Sequence, residues 1–358
     1  RAMQLDPKEY RAPALLSLAK RAASDGKQAT DLAAAAVAAA PCSGLAHEAL
    51  AAAAFYAGSL EQASREAAAA VALSPEGASA HLLAAQVAAA GGALPLALHE
   101  AELAVTLDPT LAPAYQTLGA LSLALNDVTR AEKAFRRALE LQPKFGAAMT
   151  GLGQVLARQD KFREALETQQ AAVSLDPGAA SAHNNLGAVY MQTGRLQEAA
   201  AEFGQALALQ PNWALVHGNL ALDYMEMNEY ARAVQEGELA VKLGARSARV
   251  HTTLARVYLK QERVNKAWAA LREALALDPN YALARMHLAE VYVKLGLNSE
   301  ANAERLQALV RQPSAMVDSR SYGRSEVSIS GGEGAKASAF ASGRGAGGQN
   351  SFYVSGAV

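Results

Sequence analysis

Between residues 10 and 315, apolar positions recur three and four residues apart, the spacing of helices that bury one face. In the stretch 182–212, AHNNLGAVYMQTGRLQEAAAEFGQALALQPN, Leu186 and Tyr190 mark one apolar face, and Ala199, Phe203 and Ala206 mark a second. Gly194 separates them, so the pattern predicts two short antiparallel helices joined by a tight turn. The same arrangement returns along the chain at a fixed interval.

The prolines give that interval. Pro7, Pro41, Pro75, Pro109, Pro143, Pro177, Pro211, Pro279 and Pro313 share one 34-residue register, and Ala245 fills the one vacant slot. Counting from three residues after each proline yields nine units: 10–43, 44–77, 78–111, 112–145, 146–179, 180–213, 214–247, 248–281 and 282–315. Two positions are alanine in all nine, the first running from Ala29 and Ala63 to Ala301, the second from Ala36 and Ala70 to Ala308. A third is always small, as in Ala51, Gly119, Gly153, Gly187 and Ala255, and it follows a leucine in eight units. Small residues at these places let helices approach closely. Gly58, Gly92, Asn126, Asp160, Gly194, Asn228 and Gly296 stand where the first helix of a unit should stop, and they tolerate the left-handed conformation that ends helices. The proline stops the second helix, and Asp108, Asp176 and Asp278 precede it as turn formers. A single unit cannot cover its own apolar face, so the units must stack around one continuous core.

These residues resemble the tetratricopeptide repeat, best in units four to nine. Unit one is the weakest match, because Pro13 stands where a large residue is usual. The resemblance implies an all-α fold: a right-handed superhelical solenoid of nine helix-turn-helix units with a concave inner surface. Residues 182–212 are similar to a repeat from the superhelix of O-GlcNAc transferase. The family's groove positions, carried over residue by residue, give Gln154 and Arg158; Asn184, Asn185, Met191 and Gln192; Asn219, Met225 and Glu226; and Arg249, Arg256 and Lys260. Asn185 and Asn219 match the asparagine ladder that resembles a clamp for peptide backbones, since an amide both donates and accepts. Arg249, Arg256 and Lys260 share a helix face suited to an acidic ligand segment. The N-terminal units carry mainly alanine on this surface and read as spacer.

Composition narrows the function. With 33 basic and 34 acidic residues the net charge is −1, which gives no field to draw nucleic acid or an anionic membrane. No apolar run reaches the ~18 residues of a spanning helix. The lone cysteine, Cys42, excludes an intrachain disulfide and leaves both cytoplasm and periplasm open. His47, His81, His183, His217 and His251 resemble a metal ladder, yet all occupy one packing position in successive units, too far apart to share an ion. Gly343-Arg-Gly345-Ala-Gly-Gly348 is a GxGxxG string without the strand-turn-helix context of dinucleotide sites. No catalytic, cofactor or metal residues are therefore expected.

Residues 1–9 read as the end of a second helix without its first, which predicts a fragment or ends covered by a partner. Residues 316–358 are rich in glycine and serine. They read as a linker or, from the alternation around Val327 and Ile329 and along 351–358, as a first β-hairpin. Three functions are consistent with this: a scaffold that takes extended peptides or protein partners in its groove; the periplasmic arm of a bacterial exopolysaccharide-export porin, with membrane association through a following barrel; and the targeting region of a glycosyltransferase.

Overall fold

A computed structural model describes residues 26–311, and side-chain environments within 29–309. Residues 1–9, the tail 316–358 and its proposed hairpin lie outside the described residues. Those described are all-α, with seventeen helices and no strand among them. After α1 (Gly26–Ala39) the helices run in pairs: α2 (Gly44–Tyr56) and α3 (Leu60–Leu73), α4 (Ala78–Ala90) and α5 (Leu94–Leu107), α6 (Ala112–Ala124) and α7 (Val128–Leu141), α8 (Gly146–Arg158) and α9 (Phe162–Leu175). They continue as α10 (Ala180–Gln192) and α11 (Leu196–Leu209), α12 (Ala214–Glu226) and α13 (Tyr230–Lys242), α14 (Ala248–Lys260) and α15 (Val264–Leu277), α16 (Ala282–Lys294) and α17 (Asn298–Arg311). The chain forms two compact bodies, one through Gly151 and one from Leu152.

Backbone chemistry sets the helix ends. Gly58, Gly92, Asn126, Asp160, Gly194, Asn228 and Gly296 all take positive φ, between 59° and 79°. Glu262 does the same at 58°, although its side chain gives no signal of it. The residue before the proline that ends a repeat is driven out of the helical region, as at Asp108 (φ −131°, ψ 93°) and Gln210 (φ −134°, ψ 83°). Asp108, Asp176 and Asp278 then accept a backbone N–H two residues on, each at 2.9 Å, and so tighten the turn. Where Ala245 replaces the proline, Gly244 ends α13 instead: its φ is 88°, and Ala245 N donates to Ala240 O at 2.9 Å.

Within each body a helix packs on its partner, and first helices of successive pairs lie side by side. The invariant alanines sit at these contacts: Ala63, Ala97, Ala131, Ala165, Ala199, Ala233, Ala267 and Ala301 are fully buried. In the second body, Leu186, Tyr190, Phe203, Val216, Leu220 and Tyr224 form one core. Leu254, Tyr258, Leu271 and Leu288 form another.

Candidate functional site

The first helices α10, α12 and α14, all in the second body, carry most of the polar residues expected to line the groove. The structure joins four of them into a chain. Arg249 Nη2 on α14 donates to Asn219 Oδ1 on α12. Asn219 Nδ2 donates to Asn184 Oδ1 on α10 at 3.0 Å, and Asn184 Nδ2 donates to Asn185 Oδ1 at 3.2 Å. The three asparagines are only 6–8% exposed, so this ladder is largely inside the packed face rather than lying open along it.

Three further candidates gather beside it. Glu226, Arg256 and Lys260 line a hollow of about 150 Å³ together with Met225, Asn228 and Tyr230. Arg256 Nη2 reaches Glu226 Oε1 at 3.4 Å, a loose ion pair, and Tyr230 donates its hydroxyl to Asn228 Oδ1 at 2.7 Å. The remaining candidates are dispersed. Gln154 is exposed on α8, Arg158 is half-buried at the end of that helix, and Gln192 is half-buried at the end of α10. Burial lowers the Arg158 guanidinium from its usual value. Asn228 and Tyr230 were not expected from the sequence, because they belong to a turn and to a second helix.

The histidines do more than fill space. In four repeats the ring bridges a second helix to the preceding turn. Nδ1 meets a glutamate nineteen residues on: His47 with Glu66 and His183 with Glu202 at 2.7 Å, His81 with Glu100 and His217 with Glu236 at 2.6 Å. Nε2 donates to the carbonyl of Pro41, Pro75, Pro177 or Pro211 at 2.9–3.1 Å. A carbonyl only accepts, so Nε2 must carry a proton. Arg285 reproduces the clamp, donating to Glu304 at 2.6 Å and to the Pro279 carbonyl at 2.7 Å. His251 lacks the glutamate, because Ala270 occupies its place, and Ala245 stands at the proline place. Burial pushes its imidazole down, with the field of Glu273 opposing. The signal for the clamp was in the sequence as a glutamate accompanying each bridging residue, but spacing across two helices does not show which way the rings point. No cluster of three or more metal-ligating side chains occurs among the described residues, Cys42 is exposed, and no described helix is long and apolar enough to cross a membrane.

Comparison with known proteins places the fold. Family models described as tetratricopeptide repeat match residues 48–112, 117–180 and 180–213, and a further TPR repeat model matches 255–296. Together they cover more than half of the chain, which belongs to the tetratricopeptide-repeat proteins. No curated protein matches it. Among solved structures it is similar to the APC/C hetero-tetramer Cut9-Hcn1 (TM-score 0.65, 19% identity, 82% of this chain and 56% of that one). It is also similar to a tetratricopeptide repeat protein from Parabacteroides merdae (TM-score 0.53, 16% identity, 66% and 94% covered) and to pilF of Pseudomonas aeruginosa (TM-score 0.51, 22% identity, 60% and 97% covered). The chain thus spans just over half the length of the first of these. At such identities the likeness establishes the fold alone; the family's repeat is a scaffold of the kind typical of protein–protein interaction and generally not of catalysis.

Proposed function

We infer that the chain is a non-catalytic scaffold that holds an extended peptide or a segment of a partner protein against α10, α12 and α14. The observation that carries this reading is the joined polar row on three successive first helices: a largely buried amide ladder ending in Arg249, and on the same helices a hollow with two cations and a methionine wall. A folded scaffold gains nothing in stability from a row of buried amides that an apolar row would not supply, whereas amides and cations recognise a peptide main chain and its carboxylates. Arg256 and Lys260 suit an acidic residue of the partner, which competes with Glu226 for Arg256 across their long 3.4 Å contact. Gln154, Arg158 and Gln192 flank the surface as further contacts. On this reading the alanine-rich repeats before it act as spacer, and the chain divides into nine repeats over 10–315.

The test is selection of short unstructured peptides from a displayed library on the 358-residue chain. Asn185→Ala combined with Asn219→Ala should weaken a selected peptide by at least about tenfold while helicity by circular dichroism stays unchanged. Lys260→Glu should act selectively on peptides with an acidic residue. Capture that neither variant alters would remove these residues from the interface.

A further inference from the structure

Arg249 can only donate: a guanidinium carries five N–H groups and no acceptor. Its contact with Asn219 Oδ1 therefore settles which way that amide lies, because the reversed amide would set N–H against N–H. With its oxygen held by Arg249, Asn219 must turn its nitrogen toward Asn184, where it finds Oδ1 at 3.0 Å. Asn184 is settled in the same sense, and its nitrogen finds Asn185 Oδ1 at 3.2 Å. One cation thus orients three amides in succession. At 6–8% exposure these groups have little water to fall back on if turned over. Asn185 is the end of the row: its oxygen is taken, and its own N–H2 has no acceptor among the described residues.

The geometry points to Arg249 as a positioning residue that, through Asn219 and Asn184, holds the Asn185 amide with its N–H2 group outward, so that this surface takes a ligand presenting acceptors, the main-chain carbonyls of an extended peptide. The choice of ligand rests on the groove reading above; the orientation of the amides does not. Nothing in the local sequence foretells it, since Arg249 lies 30 residues from Asn219, and Asn219 lies 35 from Asn184.

The two parts are tested separately on the full chain. Hydrogen exchange of the side-chain amides, read by NMR with asparagine labelled, should show Asn184 and Asn219 exchanging at least about tenfold more slowly than Asn185. Arg249→Met keeps the stem but removes the donors, and should level the three rates. Arg249→Lys, again a pure donor, should restore the difference and also shows that the fold tolerates change at this position. Equal rates in the unaltered protein overturn the orientation, and a difference that survives Arg249→Met overturns Arg249 as the residue that sets it. For recognition, Asn185→Asp still accepts from Asn184 but offers no donor. It should weaken a library-selected peptide by about tenfold or more, as should Arg249→Met, with Arg249→Lys within about threefold of the original. If the exchange pattern holds and no peptide is captured, the groove reading fails and the amide lock stands. If a peptide binds equally well to all variants, the lock has no part in recognition.

Discussion

Asp223 occupies a slot that the other described repeats fill with Ala53, Val87, Leu121, Val155, Val189, Val257 and Val291. It is fully buried, and neither carboxylate oxygen has a hydrogen-bond partner. Burial, and then the negative fields of Glu226 and Glu229, push its carboxyl up from 3.8 to about 7. Between these values the folded chain keeps a proton that the unfolded chain releases, so stability falls as pH rises from about 4 through 7 and then levels. The penalty above pH 7 is on the order of a few kcal/mol. Asp223→Val should therefore raise stability at pH 8, do much less at pH 4, and flatten the slope between, as measured by urea denaturation across that range. A variant that gains equally at all pH values would show that Asp223 is not the titrating group. Glu262 is a second residue out of keeping with its place, since a left-handed conformation costs a non-glycine residue roughly 1–2 kcal/mol.

At the scale of a helix pair, size at one position answers size at another. A Cβ added to Gly119 would lie 2.8 Å from Phe135, and one added to Gly187 would lie 2.9 Å from Phe203. In two repeats with alanine at the first position, Ala51 and Ala85, the second is Ala67 or Ala101 in the same core, whereas Ala255 shares a core with Leu271. Gly187→Ala should cost about 1–3 kcal/mol by overpacking. The same change in a Phe203→Ala background should cost much less, because the ring contact is gone and only the Ala199 carbonyl, 3.2 Å away, still crowds the added methyl. A double-mutant cycle by denaturant titration measures that coupling, and strict additivity would refute the contact. The always-small position was legible in the chain, but its counterpart was not, because the two lie on different helices and only packing pairs them. The clamp formed by His183, Glu202 and the Pro177 carbonyl has the same character: its spacing could be counted, its geometry could not.

At the scale of the molecule, each helix in the second body touches its neighbours in order, and first helices also touch the next first helix. Stability in such an array is a sum of local and nearest-neighbour terms. Gly187→Ala should accordingly raise backbone hydrogen exchange in α10, α11 and α12 while α16 and α17 keep their protection. A uniform loss over the whole body would mean that it unfolds as one cooperative unit. The repeat also explains why the proposed recognition surface sits where it does. All first helices share one backbone course, so side chains alone distinguish α10, α12 and α14 from the alanine-rich helices before them.

The sequence by itself determined the 34-residue period, the all-α class and most helix ends. These depend on what one residue can do locally: proline lacks an N–H, glycine and asparagine reach positive φ, and alanine fits where helices meet. Its resemblance to the tetratricopeptide repeat also named Asn184, Asn185, Asn219, Glu226, Arg249, Arg256 and Lys260, by carrying the family's groove positions onto these residues. Only the tertiary structure decided that Arg249 closes the ladder, that Asn228 and Tyr230 join Glu226, Arg256 and Lys260 around one hollow, and that Asp223 is sealed from water. Each of these turns on which atoms meet across helices some 30 residues apart. Hydrogen bonding and burial depend on those meetings, not on the pattern along the chain.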